Sequence, residues 1–395
     1  MKNDFLKYLA QTSPHPLAIE VSSAKGSYVY DSNNKEYLDF IAGVSANTLG
    51  HSNPIISKAI KDQVDQYTHV MVYGEFIQKP QVDLCKILIE NTPDNFESVY
   101  LTNSGTEATE GALKLAKRFT GRTEIIAAKN GYHGNTQGSM SVCGAEEQNS
   151  AFRPLIPGIR FIEFNNVVDI DKITTNTAGV ILETIQGGAG FIEPKNEYLK
   201  KVQEKCNKVG ALLILDEIQS GIGRTGKFFG FENYNAIPDI IVTGKGLGGG
   251  MPIGAFITSK EIMSCIQQNP KLGHITTFGG HPVIAAAGKA TLSELVNSNL
   301  MEQSLEKEKL IKKLLIHPLI SEIRGKGLML AAIVETPEIA SKIILKCIDK
   351  GLLLYWLLFE SKAIRITPPL TISYDEIYKG CNIIIETMNE VLVDY

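Results

Sequence analysis

The chain has 395 residues, of which 44% are hydrophobic and 21% are charged, and its formal net charge is −4. This length predicts a large core and two domains, and the near-neutral charge gives no reason to expect nucleic acid or a membrane surface as a partner. No apolar run is long enough to span a bilayer. Because residues 1–6 lack the apolar core of a signal peptide, we expect a cytoplasmic location. The six cysteines are not spaced like metal ligands, which predicts single buried thiols and no metal site.

The first predicted element is a β-hairpin over residues 26–40, with its turn at residues 32–34. A long middle region then alternates between strand and helix. Its strand candidates are Val99–Thr102, Glu124–Ala128, Gly179–Glu183, Ala211–Asp216 and Asp239–Thr243. Its helix candidates are Glu107–Arg118, Glu197–Val209 and His281–Ser298. Buried strands separated by helices predict an α/β fold with a mostly parallel central sheet flanked by helices.

Pro252–Thr258 follows the preceding strand with little room for a crossover helix, so we expect it to run antiparallel to its neighbour. The remainder of the chain, residues 299–395, has its own helix and strand patterns. It predicts a second, smaller domain.

Two predicted strands end in residues of opposite charge. Lys245 follows one strand and stands among glycines, while Asp216 closes the strand before it. Ligands of such sheets bind at the carboxyl ends of the strands, where both residues fall. Burial there lowers the pKa of a lysine and frees its neutral amine. Taken singly, Lys245 can be a surface loop lysine and Asp216 a helix N-cap. Together they are the pair that pyridoxal phosphate needs, an amine for a Schiff base and an acid that keeps the ring nitrogen protonated.

A short polar turn, Ser104-Gly105-Thr106-Glu107, follows a strand and opens a helix. Ser104 and Glu107 have the spacing of a capping box. A helix N-terminus offers free backbone N–H groups and the positive end of the helix dipole, which suits a phosphate. Taken alone, the segment is better interpreted as a well-capped helix.

Other segments offer weaker signals. Tyr132 can stack on a flat heterocycle, although a core tyrosine is the better interpretation of that residue alone. Gln219 can hydrogen-bond the phenolic oxygen of the cofactor ring. The loop Gly273–Gly280 offers hydroxyl donors for a phosphate. Arg365 lies in an alternating strand and can clamp a carboxylate with two hydrogen bonds, but an interdomain ion pair is equally compatible with the sequence.

These segments occur together and in one order, and in them the chain resembles the class III pyridoxal-phosphate aminotransferases of fold type I, nearest the acetylornithine/ornithine aminotransferase branch. The resemblance extends from Gly26 to the C-terminal helix. It is most specific in Asn103–Ala108, Leu215–Phe228, Gly244–Gly254 and Thr276–Pro282. It implies a large cofactor-binding domain at residues 51–298. It also implies a smaller α+β domain formed by residues 1–50 and 299–395.

The resemblance further implies the site. Lys245 is the expected Schiff-base lysine and proton carrier, and Asp216 its partner at the ring nitrogen. The expected cofactor-binding residues are Ser104, Gly105, Thr106, Tyr132, His133, Asp216, Ile218, Gln219, Lys245 and Thr277. Arg365 is expected to hold the α-carboxylate of glutamate or 2-oxoglutarate, and Thr276 to contact the substrate. Because Thr277 matches a threonine that binds the neighbouring subunit's cofactor, a homodimer with shared active sites is implied.

Three positions depart from the pattern of these relatives. Asn135 stands where acetylornithine aminotransferases carry an arginine that grips the substrate carboxylate. Gly188 replaces a glutamate that pairs with the Arg365 equivalent and masks it when an ω-amine binds. Val44 replaces a substrate-binding tyrosine of ornithine aminotransferases. All three departures count against the usual ornithine-type donors. The missing glutamate beside Arg365 favours donors that present a carboxylate to that arginine, or no charge there.

The expected function is transfer of an amino group from an amino acid or ω-amine of the acetylornithine/ornithine-like class to a 2-oxo acid, with 2-oxoglutarate as the expected acceptor. A different donor or reaction on the same cofactor is the alternative: α- or β-amino acid transamination, aminomutase or decarboxylase chemistry. A remote alternative is a non-catalytic protein on this fold. The residues leave the amino donor open.

Overall fold

The structure is a computed structural model, and it describes residues 1–393. In chain order, the strands are β1 (Val21–Lys25), β2 (Tyr28–Asp31), β3 (Glu36–Asp39), β4 (Ser98–Thr102), β5 (Glu124–Ala128), β6 (Ile159–Ile162), β7 (Thr177–Glu183), β8 (Leu212–Asp216), β9 (Ile240–Gly244), β10 (Gly254–Thr258), β11 (Ile320–Lys326), β12 (Met329–Val334), β13 (Leu352–Leu353), β14 (Tyr355–Trp356) and β15 (Ala363–Ile366).

The helices are α1 (Lys2–Tyr8), the single turn α2 (Ala42–Ser45), α3 (Pro54–Gln66), α4 (Lys79–Glu90), α5 (Gly105–Thr120), α6 (Gln137–Ser141), α7 (Glu146–Asn149), α8 (Tyr198–Val209), α9 (Lys260–Met263), α10 (Pro282–Val296), α11 (Leu300–Leu314), α12 (Pro337–Asp349) and α13 (Tyr374–Val393). None of those within residues 1–393 combines the length and apolar composition that crossing a membrane requires.

A seven-stranded sheet with the order β4-β10-β9-β8-β7-β5-β6 forms the centre of the molecule. The pairs from β9 to β6 are parallel, and β10 runs antiparallel to both β9 and β4. The predicted antiparallel strand is therefore confirmed. Every residue of β7, β8 and β9 is buried because helices cover both faces of the sheet.

Alternating side chains of these strands supply two cores. Ile214 of β8 packs on one face in a cluster with Ala112 of α5, and Leu213 packs on the other face with Val202 of α8. Strand residues one apart point to opposite faces, so a wholly apolar strand serves both cores at once. No interior position of these strands carries an ionisable side chain, and those of β7 and β8 occur only at the strand ends, along one edge of the sheet.

Two four-stranded sheets complete the fold. One has the order β1-β2-β3-β13 and joins the predicted N-terminal hairpin, which is present, to a strand from the C-terminal part of the chain. The other has the order β11-β12-β15-β14. The domain boundaries themselves stay a prediction, and residues 394–395 of the predicted C-terminal domain lie outside the described residues.

The predicted strands and helices of the middle region are confirmed, with bounds that differ by no more than two residues. The strand β6 was not predicted. Its exposed Arg160 interrupts the apolar run, as is common at the edge of a sheet. The six cysteines are unpaired, as expected, and four of them are buried.

Candidate active site

The carboxyl ends of β7, β8 and β9 each finish in or next to an ionisable residue. Glu183 closes β7, Asp216 closes β8, and Lys245 directly follows β9. Glu183 and Asp216 are cross-strand partners, and Asp216 pairs with Val242 of β9. The parallel arrangement therefore brings the predicted amine and acid to one edge of the sheet.

Asp216 is buried and held from two sides. Its Oδ2 lies 2.8 Å from Nδ1 of the buried His133, and its Oδ1 accepts a hydrogen bond of 2.9 Å from the backbone N–H of Ile218. An ionised carboxylate can only accept, so this contact is a hydrogen bond in the form of His133 that carries a proton on Nδ1. These two bonds fix the direction in which the carboxylate faces.

Lys245 is partly buried, and its backbone lies in the left-handed region with φ of 41°. The pKa of its amine is lowered, chiefly because burial removes water from the charged form. The charges of Asp216 and Glu183 oppose this change, and the charge of Arg365 adds to it. The next residue must be small, because a Cβ on Gly246 would lie 2.4 Å from Oγ1 of Thr48.

The helix α5 begins at this edge. The Ser104 side chain accepts from the N–H of Glu107 at 3.3 Å, as the predicted capping box requires. The prediction of the reciprocal bond is wrong, because the Glu107 carboxylate accepts from the backbone and side chain of Asn103 at 2.7 and 2.8 Å instead. Gly105 packs so closely on Ile218 that an added Cβ would lie 2.6 Å from its Cδ1.

A hydroxyl cluster surrounds the second residue of this helix. Oγ1 of Thr106 lies 2.9 Å from Oγ1 of Thr136 and 2.7 Å from Oγ of Ser139. The hydroxyl of Thr106 is thereby held in place, while its backbone N–H belongs to the first helical turn, which lacks partners within the helix. The turn offers backbone donors to an anion.

Glu183 is a site residue that the sequence analysis missed. Its two oxygens accept from the backbone N–H groups of Tyr132 at 3.0 Å and Gly187 at 2.9 Å. Burial raises the pKa of Glu183 to about 7, and the nearby charge of Asp216 adds to this rise. The signal was available, since Glu183 closes a wholly buried strand as Asp216 does.

Tyr132 and Gln219 lie next to these carboxyl groups. Tyr132 is partly buried, and its ring is 6.4 Å from the ring of Phe359 at an interplanar angle of 55°. Nε2 of Gln219 donates to Oγ of Ser45 at 3.3 Å. Neither residue is part of a hydrophobic core cluster within residues 1–393.

Arg365 reaches the site from the small sheet, at a buried position of β15. Its Nε and Nη1 are buried without a hydrogen-bond partner among the described residues. Burial lowers the pKa of Arg365 to about 10. The guanidinium lies over the ring of Phe191 at 5.7 Å, and within residues 1–393 it forms no ion pair. The alternative of an interdomain ion pair is therefore wrong for this part of the chain.

The loop Gly273–Gly280 is split between two environments. Oγ1 of Thr276 accepts from Nδ2 of Asn103 at 2.9 Å, which places Thr276 beside the start of α5. Thr277 is exposed, as are the adjacent Phe278 and the departure position Asn135. The structure thus brings Thr276 to the site of its own chain but does not bring Thr277 there.

The residues gathered here fit pyridoxal phosphate. They offer an amine with lowered pKa, a buried carboxylate of fixed direction and a helix N-terminus at one edge of the sheet. The two donor nitrogens of Arg365 that lack partners suit a carboxylate. Residues 1–393 contain no group of His, Cys, Asp or Glu arranged to hold a metal ion.

Comparison with known proteins agrees with this chemistry. The family model described as aminotransferase class-III matches residues 8–388, and the chain belongs to this family of pyridoxal-phosphate enzymes. Its fold is that of the fold type I aminotransferases.

Three relatives illustrate the similarity. An acetylornithine aminotransferase of Caldanaerobacter subterraneus subsp. tengcongensis is 37% identical, with 98% of each chain covered. A [LysW]-aminoadipate semialdehyde/glutamate semialdehyde transaminase of Sulfolobus acidocaldarius is 35% identical, with 94% of this chain and 95% of the relative covered. The structure of the ornithine aminotransferase of Toxoplasma gondii superposes on this chain with a TM-score of 0.92 at 29% identity. The superposition covers 100% of this chain and 95% of that chain. That structure is described with pyridoxal phosphate at partial occupancy in its active site.

Proposed function

We propose that this aminotransferase moves an amino group from an amino acid or ω-amine of the acetylornithine/ornithine-like class to a 2-oxo acid, with 2-oxoglutarate as the acceptor. The observation that carries the proposal is the meeting of Lys245 and Asp216 at one edge of the sheet, with the unpaired Arg365 close enough for its charge to act on Lys245.

Specific residues would hold the cofactor. Lys245 would bind it covalently, and Asp216, oriented by His133 and Ile218, would face its ring nitrogen. The turn at Ser104, Gly105 and Thr106 would hold its phosphate through backbone N–H groups and hydroxyls. Tyr132 would cover a face of the ring, and Gln219 would reach the phenolic oxygen. When bound, pyridoxal phosphate supplies an electron-withdrawing ring that weakens the bonds at the substrate carbon bearing the nitrogen.

The side chains around the ring would supply positioning and proton transfer. A carboxylate of the substrate binds Arg365, satisfies its buried donors and fixes the substrate in register with Lys245. With the cofactor and substrate in place, Nζ of Lys245 would take the proton from the substrate carbon that bears the nitrogen and would return it on the other side of that nitrogen. The lowered pKa of Lys245 favours its neutral amine, which is the form that accepts that proton. Thr276 contacts the substrate from the side of Asn103.

We also propose that the active enzyme is a cytoplasmic homodimer with shared active sites. The exposed position of Thr277 supports this, because a threonine that faces away from its own site is free to reach a neighbouring subunit. Sedimentation should then give twice the mass of 43.3 kDa, and Thr277→Ala should weaken cofactor binding without changing the fold.

The test of the proposed chemistry is Lys245→Ala. This variant should lose the visible absorption of the lysine-bound cofactor and nearly all turnover, because no other amine replaces the covalent anchor and proton carrier. Lys227→Ala, which alters an exposed lysine, is the matched control and should keep both. Wild-type turnover in Lys245→Ala would refute the proposal. Stoichiometric glutamate from added 2-oxoglutarate separates transamination from aminomutase or decarboxylase chemistry.

A further inference from the structure

The space beside Gly188 is filled by an aromatic ring. A Cβ on Gly188 would lie 2.8 Å from Cδ2 of Phe359 and 3.6 Å from Cβ of Leu358. The backbone N–H of Phe359 donates to the carbonyl oxygen of Gly188 at 2.9 Å, which holds the two segments together. The glycine is therefore required by the ring, and a longer side chain at position 188 must displace Phe359.

Phe359 also faces Tyr132, so two aromatic side chains border the same space. Their ring centroids are 6.4 Å apart. Phe359 is partly buried, and it lies in the segment that connects β14 to β15, the strand of Arg365. The wall that faces Tyr132 is thus apolar. Arg365 lies against the same turn as Gly188, because its guanidinium is 5.7 Å from the ring of Phe191, whose backbone N–H donates to the carbonyl oxygen of Gly187 at 3.4 Å.

No acid within the described residues is placed to neutralise Arg365. Glu360, which follows Phe359, lies 3.4 Å from Nη1 of Arg324 and is directed to that residue. Both oxygens of Glu183 are taken by backbone N–H groups. A substrate without a carboxylate would leave the guanidinium buried and unpaired, which is costly, so the charge must be matched by the substrate itself.

We propose that Gly188 and Phe359 determine the amino donor: an amino acid that places its own carboxylate on Arg365 and an uncharged, apolar side chain against Phe359 and Tyr132. This inference rests on the proposed transfer of an amino group to a 2-oxo acid, and among donors it favours apolar amino acids over N-acetylornithine. The carboxylate completes the hydrogen bonds of Arg365, and the apolar side chain is removed from water by the two rings. A second carboxylate at that wall would be desolvated without a cation, so the acceptor 2-oxoglutarate is expected to bind more weakly than an apolar donor.

Binding of unreactive carboxylates to the holoenzyme tests this recognition apart from turnover. Calorimetry with 3-phenylpropanoate, glutarate and 3-phenylpropanamide is expected to give the tightest dissociation constant for 3-phenylpropanoate. Glutarate should bind about tenfold more weakly because its second carboxylate is desolvated, and the amide about a hundredfold more weakly because it cannot pair with Arg365. Equal binding of 3-phenylpropanoate and its amide would overturn the inference.

Variants at the aromatic wall sharpen the test. Phe359→Ala should weaken 3-phenylpropanoate binding by about tenfold and leave glutarate unchanged, because only apolar contact is lost. Phe359→Leu keeps an apolar side chain and should lose less. Phe119→Ala, at the far end of α5, is the matched control and should bind both probes as the wild type does. Adding Gly188→Glu to Phe359→Ala places a carboxylate in the vacated space and should weaken both carboxylate probes by about a hundredfold.

The half-reaction separates failure of this inference from failure of the proposed function. Apolar amino acids such as leucine and phenylalanine should convert the cofactor absorption of the holoenzyme faster than N-acetylornithine does. If N-acetylornithine is faster and Phe359→Ala leaves that order unchanged, the donor assignment is wrong while the aminotransferase proposal stands. If no amine changes the absorption, the proposed function fails and the donor assignment fails with it.

Discussion

Asp216 and Arg365 are both buried and charged, but they differ in whether the protein supplies their hydrogen-bond partners. Both oxygens of Asp216 are engaged, by His133 and by the backbone of Ile218. Two nitrogens of Arg365 are buried with no partner among the described residues. The side of the site that would hold a resident cofactor is thus completed by the protein, whereas the side that receives substrates is left for the ligand to complete.

This difference follows from how long each ligand stays. A resident group benefits from rigid, satisfied contacts, since the cost of orienting them is met once during folding. In each catalytic cycle two substrates must bind and two products must leave. The buried N–H donors of Arg365 favour substrate binding, because the substrate supplies the hydrogen-bond acceptors that they lack. The cost is lower stability of the empty protein, a common exchange at functional sites. The comparison therefore predicts that substitutions on the two sides act differently.

The largest effect is expected at Asp216, on the side of the site that would hold the cofactor, where the protein itself supplies the hydrogen-bond partners. Asp216→Asn keeps the shape but removes the charge at the ring nitrogen, and turnover should fall on the order of 10²–10³-fold, as when a main electrostatic group of an active site is lost. The measurement is kcat with a saturating donor. Asp239→Asn is the matched control, because Asp239 lies at the opposite end of the same sheet and accepts from the N–H of Leu213 at 2.7 Å. Comparable losses in both variants would mean that Asp216 acts only through the fold.

On the incomplete side, activity and stability should move in opposite directions. Arg365→Met removes the carboxylate clamp, so kcat/KM should fall, while the free energy of unfolding without ligand should rise by about 1–3 kcal/mol because a buried unpaired charge is gone. Urea unfolding measures the second quantity. Arg224→Met is the control: Nη2 of Arg224 is also buried without a partner among the described residues, but its Nη1 donates to the carbonyls of Leu328 and Pro368 at 3.2 and 2.5 Å, so the loss of these two bonds should destabilise the protein. If Arg365→Met and Arg224→Met both lower the free energy of unfolding, the proposed contrast between the cofactor side and the substrate side of the site is contradicted.

The two charges should also shift the reactivity of Lys245 in opposite directions. The charge of Arg365 lowers the pKa of Lys245 and that of Asp216 raises it. Only the neutral amine reacts, so the rate at which apoenzyme captures pyridoxal phosphate rises with pH toward a plateau. The midpoint of that rise should move to higher pH in Arg365→Met and to lower pH in Asp216→Asn. Movement in the same direction would show that the direct charge effect does not control Lys245.

The sequence predicts much of the completed side because its signals are local. A run of apolar residues that ends in a charged one predicts both a buried strand and a polar group at its carboxyl end, as at Asp216 and Lys245. The same reasoning applies to Glu183, which was overlooked although it closes β7. The central sheet was predictable for the same reason. The edge strand β6 was not, because Arg160 breaks its apolar pattern.

The incomplete side depends on contacts between distant parts of the chain. The sequence shows that position 188 is glycine, but it does not show that Phe359 occupies the space beside it. It presents Arg365 in a strand, but whether the guanidinium finds an acid depends on tertiary packing. The bond from Glu107 to Asn103 is a smaller case, since the capping spacing does not determine which N–H the carboxylate selects. Local patterns therefore predict what holds the cofactor better than what selects the substrate.

The smallest predicted effect concerns backbone strain next to the substrate side. Val44 has φ of 59° and ψ of 52°, a conformation that β-branched residues disfavour, and its segment contacts Gln219 through Ser45. The Val44 side chain is 36% exposed, so little apolar burial is lost on its removal. Val44→Gly should raise the free energy of unfolding by roughly 0.5–1 kcal/mol, since relief of the left-handed strain exceeds the entropy cost of glycine.

Gly43→Ala is the matched control for this strain. Gly43 has the same φ of 59°, and an added Cβ would lie 2.9 Å from Nδ2 of Asn47. The substitution should lower the free energy of unfolding by about 1–2 kcal/mol, because it adds the strain that Val44→Gly removes. Urea unfolding of both variants gives the comparison. If Val44→Gly destabilises the protein as Gly43→Ala does, the turn is held by contacts of the valine side chain, and the substrate side is less strained than its backbone angles indicate.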